Sequence, residues 1–281
     1  MNFFGFLSKR SIRKRIKIFS ITNCGLVRKS NEDNFYTSGF VPSEINLNTK
    51  KNFTYKYEKD KYEFEVMAIF DGMGGMNAGE IASSTAAKEI RKKMKHVKRI
   101  ADINELINKI QDYTKSANEI IHNEATDNSK YYGMGTTFVC LAIYDNKAVV
   151  LNTGDSRGYV YDHNTLKLLS KDHTIAAEHL RNNIITYEEA KNSKDNNKLT
   201  RFLGMSPEHG NMLNSVSEVV ILEKGIRFIL CSDGLYGLVE DEDILKVIKS
   251  GKIEKCAEKL VKKALENGGN DNVTITVVEI M

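Results

Sequence analysis

The stretch from Val66 to Gly75 reads VMAIFDGMGG, in which five apolar residues run directly into an acid and a glycine-rich turn. A second stretch, Phe228 to Gly234, reads FILCSDG and ends in the same way. Short apolar runs of this kind are typical of buried strands. Two strands that each end in an aspartate and a glycine, at Asp71 and Asp233, predict a site for a hard cation.

Two further acids lie at strand edges. Asp155 follows the apolar run 148–152, and Asp271 precedes the run 273–278. Each acid taken alone is typical of a tight turn. A pair of carboxylates about 4 Å apart repels by roughly 4 kcal/mol at an effective dielectric of 20, and a bound cation removes that cost. Four such acids therefore predict one shared centre, whose oxygen donors favour magnesium or manganese over zinc or copper.

The glycine-rich turn Gly72-Met73-Gly74-Gly75 has an alternative interpretation as a phosphate-binding loop before a helix. It matches neither the GxGxxG nor the GxxxxGK[ST] spacing, so a nucleotide site is the weaker hypothesis.

Composition excludes several classes of protein. The 281 residues, 41% hydrophobic, predict one large domain with a substantial core. The net charge of +4 comes from 41 basic and 37 acidic residues, which is too small an excess to indicate nucleic-acid binding. The four cysteines show no CxxC spacing, so we expect buried thiols in a reducing compartment, with no disulfide and no zinc.

The N-terminal tail, residues 1–15, combines phenylalanines with a run of lysines and arginines. No apolar stretch approaches the roughly 18 residues needed to span a bilayer, and the tail lacks the continuous apolar region of a signal peptide. Two hypotheses remain for this tail: a solvated end, or a weak anchor on an anionic membrane surface.

The remaining pattern predicts clusters of strands separated by clusters of helices, which favours an α+β fold over βαβ winding. Two amphipathic helices are expected at 78–97 and from Asp102 onward, and two more at about 241–249 and 253–266. The region 173–191 looks helical, 192–197 is a polar run that we expect to be mobile, and 216–222 looks like a strand.

Eight motifs follow one another along the chain: Arg28-Lys29-Ser30-Asn31-Glu32-Asp33, Phe70-Asp71-Gly72-Met73-Gly74-Gly75, Gly133-Met134-Gly135-Thr136-Thr137, Gly154-Asp155-Ser156-Arg157, Lys171-Asp172-His173-Thr174, Leu199-Thr200-Arg201-Phe202-Leu203-Gly204, Cys231-Ser232-Asp233-Gly234-Leu235 and Gly269-Asn270-Asp271-Asn272-Val273-Thr274. Their order and spelling resemble the PP2C (PPM) family of metal-dependent serine/threonine protein phosphatases, in its bacterial form. The resemblance covers about residues 16–280.

The resemblance implies a PP2C-like αββα sandwich, with two antiparallel sheets flanked by helix pairs and metals in a cleft at one edge. It implies two Mn²⁺ or Mg²⁺ ions, with Asp71 as their bridge, Gly72 as a carbonyl ligand to one ion, and Asp233 and Asp271 as ligands to the other. Asp155 matches a position that, with Asp233, holds a weaker third ion. Asp33 would act through a metal-bound water with Glu32 assisting, and Arg28 would bind the substrate phosphate, a role suited to its forked donors.

One residue departs from the animal members of the family, which have a histidine where this chain has Met73. Bacterial members commonly have methionine there, so we expect a metal-bound water to supply the proton to the leaving alcohol. His173 is expected to be structural, in a loop leading to a flap at about 173–214.

The predicted activity is hydrolysis of phosphoserine and phosphothreonine on proteins by direct attack of a metal-bridging hydroxide, without a phosphoenzyme. The partners would be a Ser/Thr kinase and its targets, and the chain would be a cytoplasmic monomer, with weak contact to the inner membrane surface if its tail is an anchor. Two alternatives are a pseudophosphatase, which would normally have lost an acid, and a regulatory PP2C-like module, which usually has further domains.

Overall fold

The computed structural model describes residues 15–42, 53–60, 63–74, 78–209 and 214–281. Within these ranges the strands are, in chain order, β1 (Arg15–Asn23), β2 (Asn34–Thr37), β3 (Phe53–Asp60), β4 (Phe64–Phe70), β5 (Gly72–Met73), β6 (Gly135–Thr136), β7 (Phe138–Tyr144), β8 (Lys147–Thr153), β9 (Arg157–Asp162), β10 (Thr165–Leu168), β11 (Ser215–Val216), β12 (Val220–Ile221), β13 (Arg227–Cys231) and β14 (Val273–Ile280). The α-helices are α1 (Ala78–Lys95), α2 (Ile103–Asp127), α3 (Ile175–Arg181), α4 (Tyr187–Lys191), α5 (Asp233–Tyr236), α6 (Asp241–Ile248) and α7 (Ile253–Glu266). Single 3₁₀ turns lie at Ser129–Tyr131 and Pro207–His209.

The strands form two large sheets in which every pairing is antiparallel. The first sheet has the order β10-β9-β13-β14-β1-β3, and the second has the order β11-β8-β7-β4-β2, with β12 also on β8. A small separate pair, β5 with β6, lies beside them.

Three layers of apolar side chains hold the sheets and helices together. On β4, Met67 and Ile69 pack between the two sheets, whereas Val66, Ala68 and Phe70 pack against α1 and α2. This two-sided burial explains why the β4 sequence is continuously apolar rather than alternating. A third layer joins the first sheet to α6 and α7. The predicted αββα sandwich is confirmed.

The long helix α2 forms where its sequence predicts it. The Asp102 side chain accepts a hydrogen bond from the Glu105 N–H at 2.8 Å, and the Glu105 carboxylate accepts one from the Ala101 N–H at 2.7 Å. These bonds satisfy N–H groups at the helix start that have no partner within the helix. The apolar stripe that begins at Ile103 and Leu106 is buried, so one face of α2 covers the second sheet.

Two predicted elements are divided in the structure. The expected strand at 216–222 is two short strands on β8, because Val216 pairs with Leu151 and Val220 with Ala148. From Val216 to Val220 the segment advances four residues while β8 advances three, so the extra residue forms a bulge. The expected helical region 173–191 splits into α3 and α4, because Asn183 adopts a positive φ of 56° and Thr186 begins a new capping box.

The predicted N-terminal tail, 1–15, lies outside the described residues except for Arg15, which begins β1. The domain boundaries and the flap at about 173–214 remain predictions. All four cysteines are buried. Among the described residues, no helix has both the length and the apolar content needed to span a bilayer.

Candidate metal-dependent active site

Antiparallel pairing brings Asp155 and Asp233 to the same edge of the first sheet. Arg157 at the start of β9 lies opposite Cys231 at the end of β13. Asp155 comes two residues before Arg157, and Asp233 comes two residues after Cys231. Both acids therefore lie just beyond the same end of this strand pair.

The same rule places the other acids there. At one end of the second sheet, Asn34 pairs with Phe70, so Asp33 and Asp71 are neighbours. In the first sheet Asn23 pairs with Val273, which brings the loop containing Arg28 beside Asp271. Strand ends that are far apart in sequence thus converge at one edge of the sandwich.

The converging residues line a cleft of about 350 Å³. The predicted site residues in its wall are Arg28, Glu32, Asp71, Gly72, Asp155, Asp233 and Asp271. Asp33 lies beneath them, with 8% of its surface exposed. The structure therefore brings all six acids, Gly72 and the arginine into one region, while their individual roles stay predictions.

Asp71 is fixed through its backbone. Its N–H donates to the Thr137 hydroxyl at 3.0 Å, and its carbonyl accepts from the Thr137 N–H at 2.8 Å and from the Thr136 hydroxyl at 2.9 Å. The Thr137 hydroxyl also lies 2.7 Å from the Ser156 hydroxyl, next to Asp155. The Gly-Thr-Thr motif therefore links the turn of Asp71 to the turn of Asp155.

Asp33 is held by groups from the opposite sheet. The Ser232 hydroxyl donates to the Asp33 carboxylate at 2.7 Å, and Thr274 also forms a side-chain hydrogen bond with it. The Thr274 N–H donates in turn to the Ser232 oxygen at 3.0 Å. Ser232 is not among the predicted site residues, although its place next to Asp233 in the motif points to the same cleft.

The turn of Gly72 has no room for a side chain. A Cβ at Gly72 would lie 2.2 Å from the Gly79 carbonyl oxygen and 2.6 Å from that of Glu32. A Cβ at Gly79 would lie 2.5 Å from the Glu32 carboxylate. Glycine is required at these positions because two backbone segments approach one another closely. The start of α1 therefore packs directly against the turn that contains Asp71 and Gly72.

Arg28 and Asp271 contact each other at the mouth of the cleft. The Arg28 Nη2 atom lies 2.6 Å from the Asp271 carboxylate, and the arginine side chain is 54% exposed. Asn272 fixes the loop that presents Arg28, because its amide donates to the Cys24 and Ser30 carbonyls and its oxygen accepts from the Glu32 N–H. This arrangement places an exposed guanidinium beside a predicted metal ligand.

The acids affect one another's protonation. Burial, followed by the charges of Asp33 and Asp233, raises the pKa of Asp71 well above its usual value. Burial also raises the pKa of Asp33 and of Asp155 to about 7, and that of Asp233 to about 6. Clustered carboxylates that resist ionisation are a candidate functional site, since a cation placed among them would favour their charged forms.

The donor set fits hard divalent cations, because it consists of carboxylate oxygens and closely approaching backbone at Gly72. As the side chains are placed, however, no group of three or more His, Cys, Asp or Glu within the described ranges is arranged to hold a metal ion. A cation at Asp271 would compete with Arg28 for that carboxylate.

His173 is buried, as expected for a structural residue, with 1% of its surface exposed. Its Nδ1 accepts from the Gly154 N–H at 3.1 Å, and its Nε2 lies 2.8 Å from the Ser215 hydroxyl. Both ring nitrogens are therefore engaged away from the cleft. Burial, together with the charges of Arg201 and Arg181, lowers the pKa of His173 to about 4.

This lowered pKa makes stability depend on pH. Between pH 6.5 and 4 the unfolded chain binds a proton at His173 that the folded chain does not, so the stabilisation is complete above 6.5 and is lost as pH falls. His173→Asn keeps an amide oxygen that can accept from Gly154 but has no titrating ring. We expect this variant to be less stable than the unchanged protein, and the difference in unfolding free energy to shrink by up to about 3 kcal/mol between pH 7.5 and 4.5. Urea unfolding measures it, and a deficit independent of pH would contradict the assignment.

Comparisons with known proteins identify the family. The sequence model of the family described as Protein phosphatase 2C matches residues 37–273. The chain is 34% identical over 217 residues to the serine/threonine phosphatase stp of Listeria welshimeri, covering 76% of this chain and 84% of that protein.

Solved structures show the same architecture. The serine/threonine phosphatase of S. agalactiae superimposes with a TM-score of 0.80 at 24% identity, covering 95% of this chain and 100% of that one. The catalytic domain of the serine/threonine protein phosphatase PstP, in complex with two manganese ions, matches with a TM-score of 0.75 at 26% identity, covering 95% and 99% of the two chains. The chain therefore belongs to the protein phosphatase 2C family, among the bacterial serine/threonine phosphatases, and is a hydrolase of that class.

Proposed function

We propose that this protein removes phosphate from phosphoserine and phosphothreonine residues of proteins, in a reaction that depends on Mn²⁺ or Mg²⁺ and forms no phosphoenzyme. The observation that supports this most directly is the convergence of Asp71, Asp155, Asp233 and Asp271 on one cleft. The cleft lies open at the surface beside Arg28, so a phosphorylated side chain can reach the acids from outside.

We propose Asp71, Gly72, Asp233 and Asp271 as the residues that hold two ions, and Asp155 with Asp233 for a weaker third. When bound, such ions activate water and neutralise the attacking and leaving oxygens of a phosphoryl displacement. Asp71 feels the charges of Asp33, Asp155, Asp233 and Asp271 and forms a side-chain hydrogen bond with Asp233, a central position that would suit a ligand shared by two ions.

The other side chains orient the reactants. Arg28 presents an exposed guanidinium that can bind two phosphate oxygens, and its contact with Asp271 would give way as that carboxylate turns to a cation. Asp33 is held in place by Ser232, and its carboxylate would accept a hydrogen bond from a water in the cleft and orient it. Glu32 lines the cleft next to Asp33 and assists.

The proton for the leaving alcohol comes from water. Met73 has no proton to give, and His173 uses both ring nitrogens for Gly154 and Ser215. Neither residue can therefore act as the general acid.

The substrates would be proteins phosphorylated by a Ser/Thr kinase of the same cytoplasm, including the kinase itself. The chain would act as a monomer without nucleic acid, and its N-terminal tail would at most add weak contact with an anionic membrane surface.

A phosphothreonine peptide tests the activity. We expect the purified chain to release phosphate in the presence of Mn²⁺ and to lose this activity in excess EDTA. Rapid acid quenching with a ³²P-labelled peptide should trap no label on the protein. Hydrolysis that persists in EDTA, or a covalently labelled protein, would contradict the proposal, and peptide binding without turnover would identify a pseudophosphatase.

A further inference from the structure

Arg157 lies two residues after Asp155, yet its hydrogen bonds within the described residues go elsewhere. Its Nε and Nη2 atoms donate to the Asp172 carboxylate at 3.1 and 2.7 Å, and Nη1 lies 3.4 Å from the Tyr159 hydroxyl. Had the guanidinium paired with Asp155, it would have neutralised the charge that a cation is proposed to neutralise. Because Arg157 pairs with Asp172 instead, the Asp155 carboxylate stays available to the cleft.

Arg157 reaches Asp155 indirectly, through Tyr236. The guanidinium carbon lies 3.9 Å from the centre of the Tyr236 ring, a cation–π contact. The Tyr236 side chain in turn forms a hydrogen bond with the Asp155 carboxylate. Tyr236 ends the short helix α5, which begins at Asp233. One tyrosine thus lies between the arginine and the two acids proposed for the third ion.

Asp172, the other partner of Arg157, lies where the segment 173–214 begins. Its carbonyl accepts a hydrogen bond from Arg181 of α3 at 2.6 Å. The next residue, His173, donates its N–H to the Gly154 carbonyl at 3.0 Å and accepts from the Thr200 N–H at 2.8 Å. The start of the segment is therefore docked on the Gly154–Asp155 turn, and Arg157 holds Asp172, the residue just before it.

We propose that Arg157 is a positioning residue that fixes the Asp155 carboxylate for the third ion, by holding the Tyr236 ring and the Asp172 carboxylate at the same time. The inference rests on the proposed function, in which Asp155 and Asp233 bind that ion. A planar guanidinium can stack on a ring and donate in its plane to a carboxylate at once, whereas an ammonium cannot.

Arg157→Lys tests this inference, because lysine keeps the positive charge but lacks the forked donors of the guanidinium. We expect Arg157→Lys to weaken the third and weakest Mn²⁺ site about tenfold, the effect typical of losing a residue that orients a ligand. The two tighter ions should bind within about twofold of the unchanged protein. Calorimetric titration of the metal-depleted protein with Mn²⁺ alone measures all three steps without reference to activity.

Arg227→Lys is the matched control. Arg227 also donates to one carboxylate, that of Glu279, through Nε and Nη2 at 2.9 and 2.5 Å. It pairs with Tyr161, four residues along the same two strands and about 13 Å from the level of Arg157. This variant should lose stability without a change in the third site, which separates loss of positioning from loss of packing.

Tyr236→Phe keeps the ring under the guanidinium and removes only its hydroxyl. We expect it to weaken the third ion as Arg157→Lys does, and the double variant to be no weaker than either single one. Unchanged third-ion affinity in Tyr236→Phe, or additive losses in the double variant, would overturn the inference. Fewer than three ions in the unchanged protein would overturn it while leaving the two-ion function intact, whereas absence of any Mn²⁺ binding would overturn both.

Discussion

Asp233→Asn is expected to lower Mn²⁺-stimulated hydrolysis of an aryl phosphate by at least about a thousandfold, equivalent to roughly 4 kcal/mol of transition-state stabilisation. Asp233 forms a side-chain hydrogen bond with Asp71 and lies within the field of Asp271 and Arg28. The amide has the shape of the carboxylate but lacks the charge that attracts a cation. Steady-state assays over a range of Mn²⁺ concentrations measure the loss.

The same substitution should leave the metal-depleted protein folded and at least as stable as before, because it removes one of several mutually repelling charges. Asp243→Asn is the matched control. Asp243 is an acid of α6 that pairs with Lys246 and Lys263 on the surface, so its loss changes the charge equally without touching the cleft. Full activity in Asp233→Asn would refute the site, and a cooperative loss of structure would show that Asp233 is needed for folding instead.

Much of the site could be predicted because its acids follow strands directly. Asp71 and Asp233 each come after a continuous apolar run, and both runs are buried strands in the structure. The position of an acid relative to a strand end depends only on neighbouring residues, which a sequence displays. The fold class followed from the same local patterns.

The groups that orient these acids could not be found in that way. Ser232 contacts Asp33 across 199 positions of the chain, and Tyr236 contacts Asp155 across 81, so neighbouring residues do not show which acid each one contacts. The division of the 173–191 region has a local cause in the sequence, since Thr186 and Glu189 form a capping box inside the expected helix. A new helix begins at this point because the capping box satisfies N–H groups that have no partner at the start of a helix.

We expect the free energy of unfolding to fall as pH rises when no metal is present, and bound Mn²⁺ to reverse that fall. Asp33 and Asp155 have a pKa of about 7 in the fold, against an ordinary value of 3.8. Between these values the folded protein keeps protons that the unfolded chain has lost. Their contribution is therefore complete below 3.8 and is lost as pH rises through 7. One group shifted this far corresponds to about 4 kcal/mol.

In EDTA we expect the free energy of unfolding to fall by several kcal/mol as pH rises from 4.5 to 8, measured by urea denaturation. Excess Mn²⁺ at pH 8 should restore most of it, since each ion at a hundred times its Kd stabilises by about 2.7 kcal/mol. Asp155→Asn should make the EDTA profile less steep, whereas Asp243→Asn should leave it unchanged. His173 titrates in the opposite direction, but it is common to these proteins and cancels in their differences. If the EDTA profile were equally steep in Asp155→Asn and the unchanged protein, Asp155 would not belong to the coupled cluster, because removing a group that binds a proton only in the folded state must change the number of protons released on unfolding.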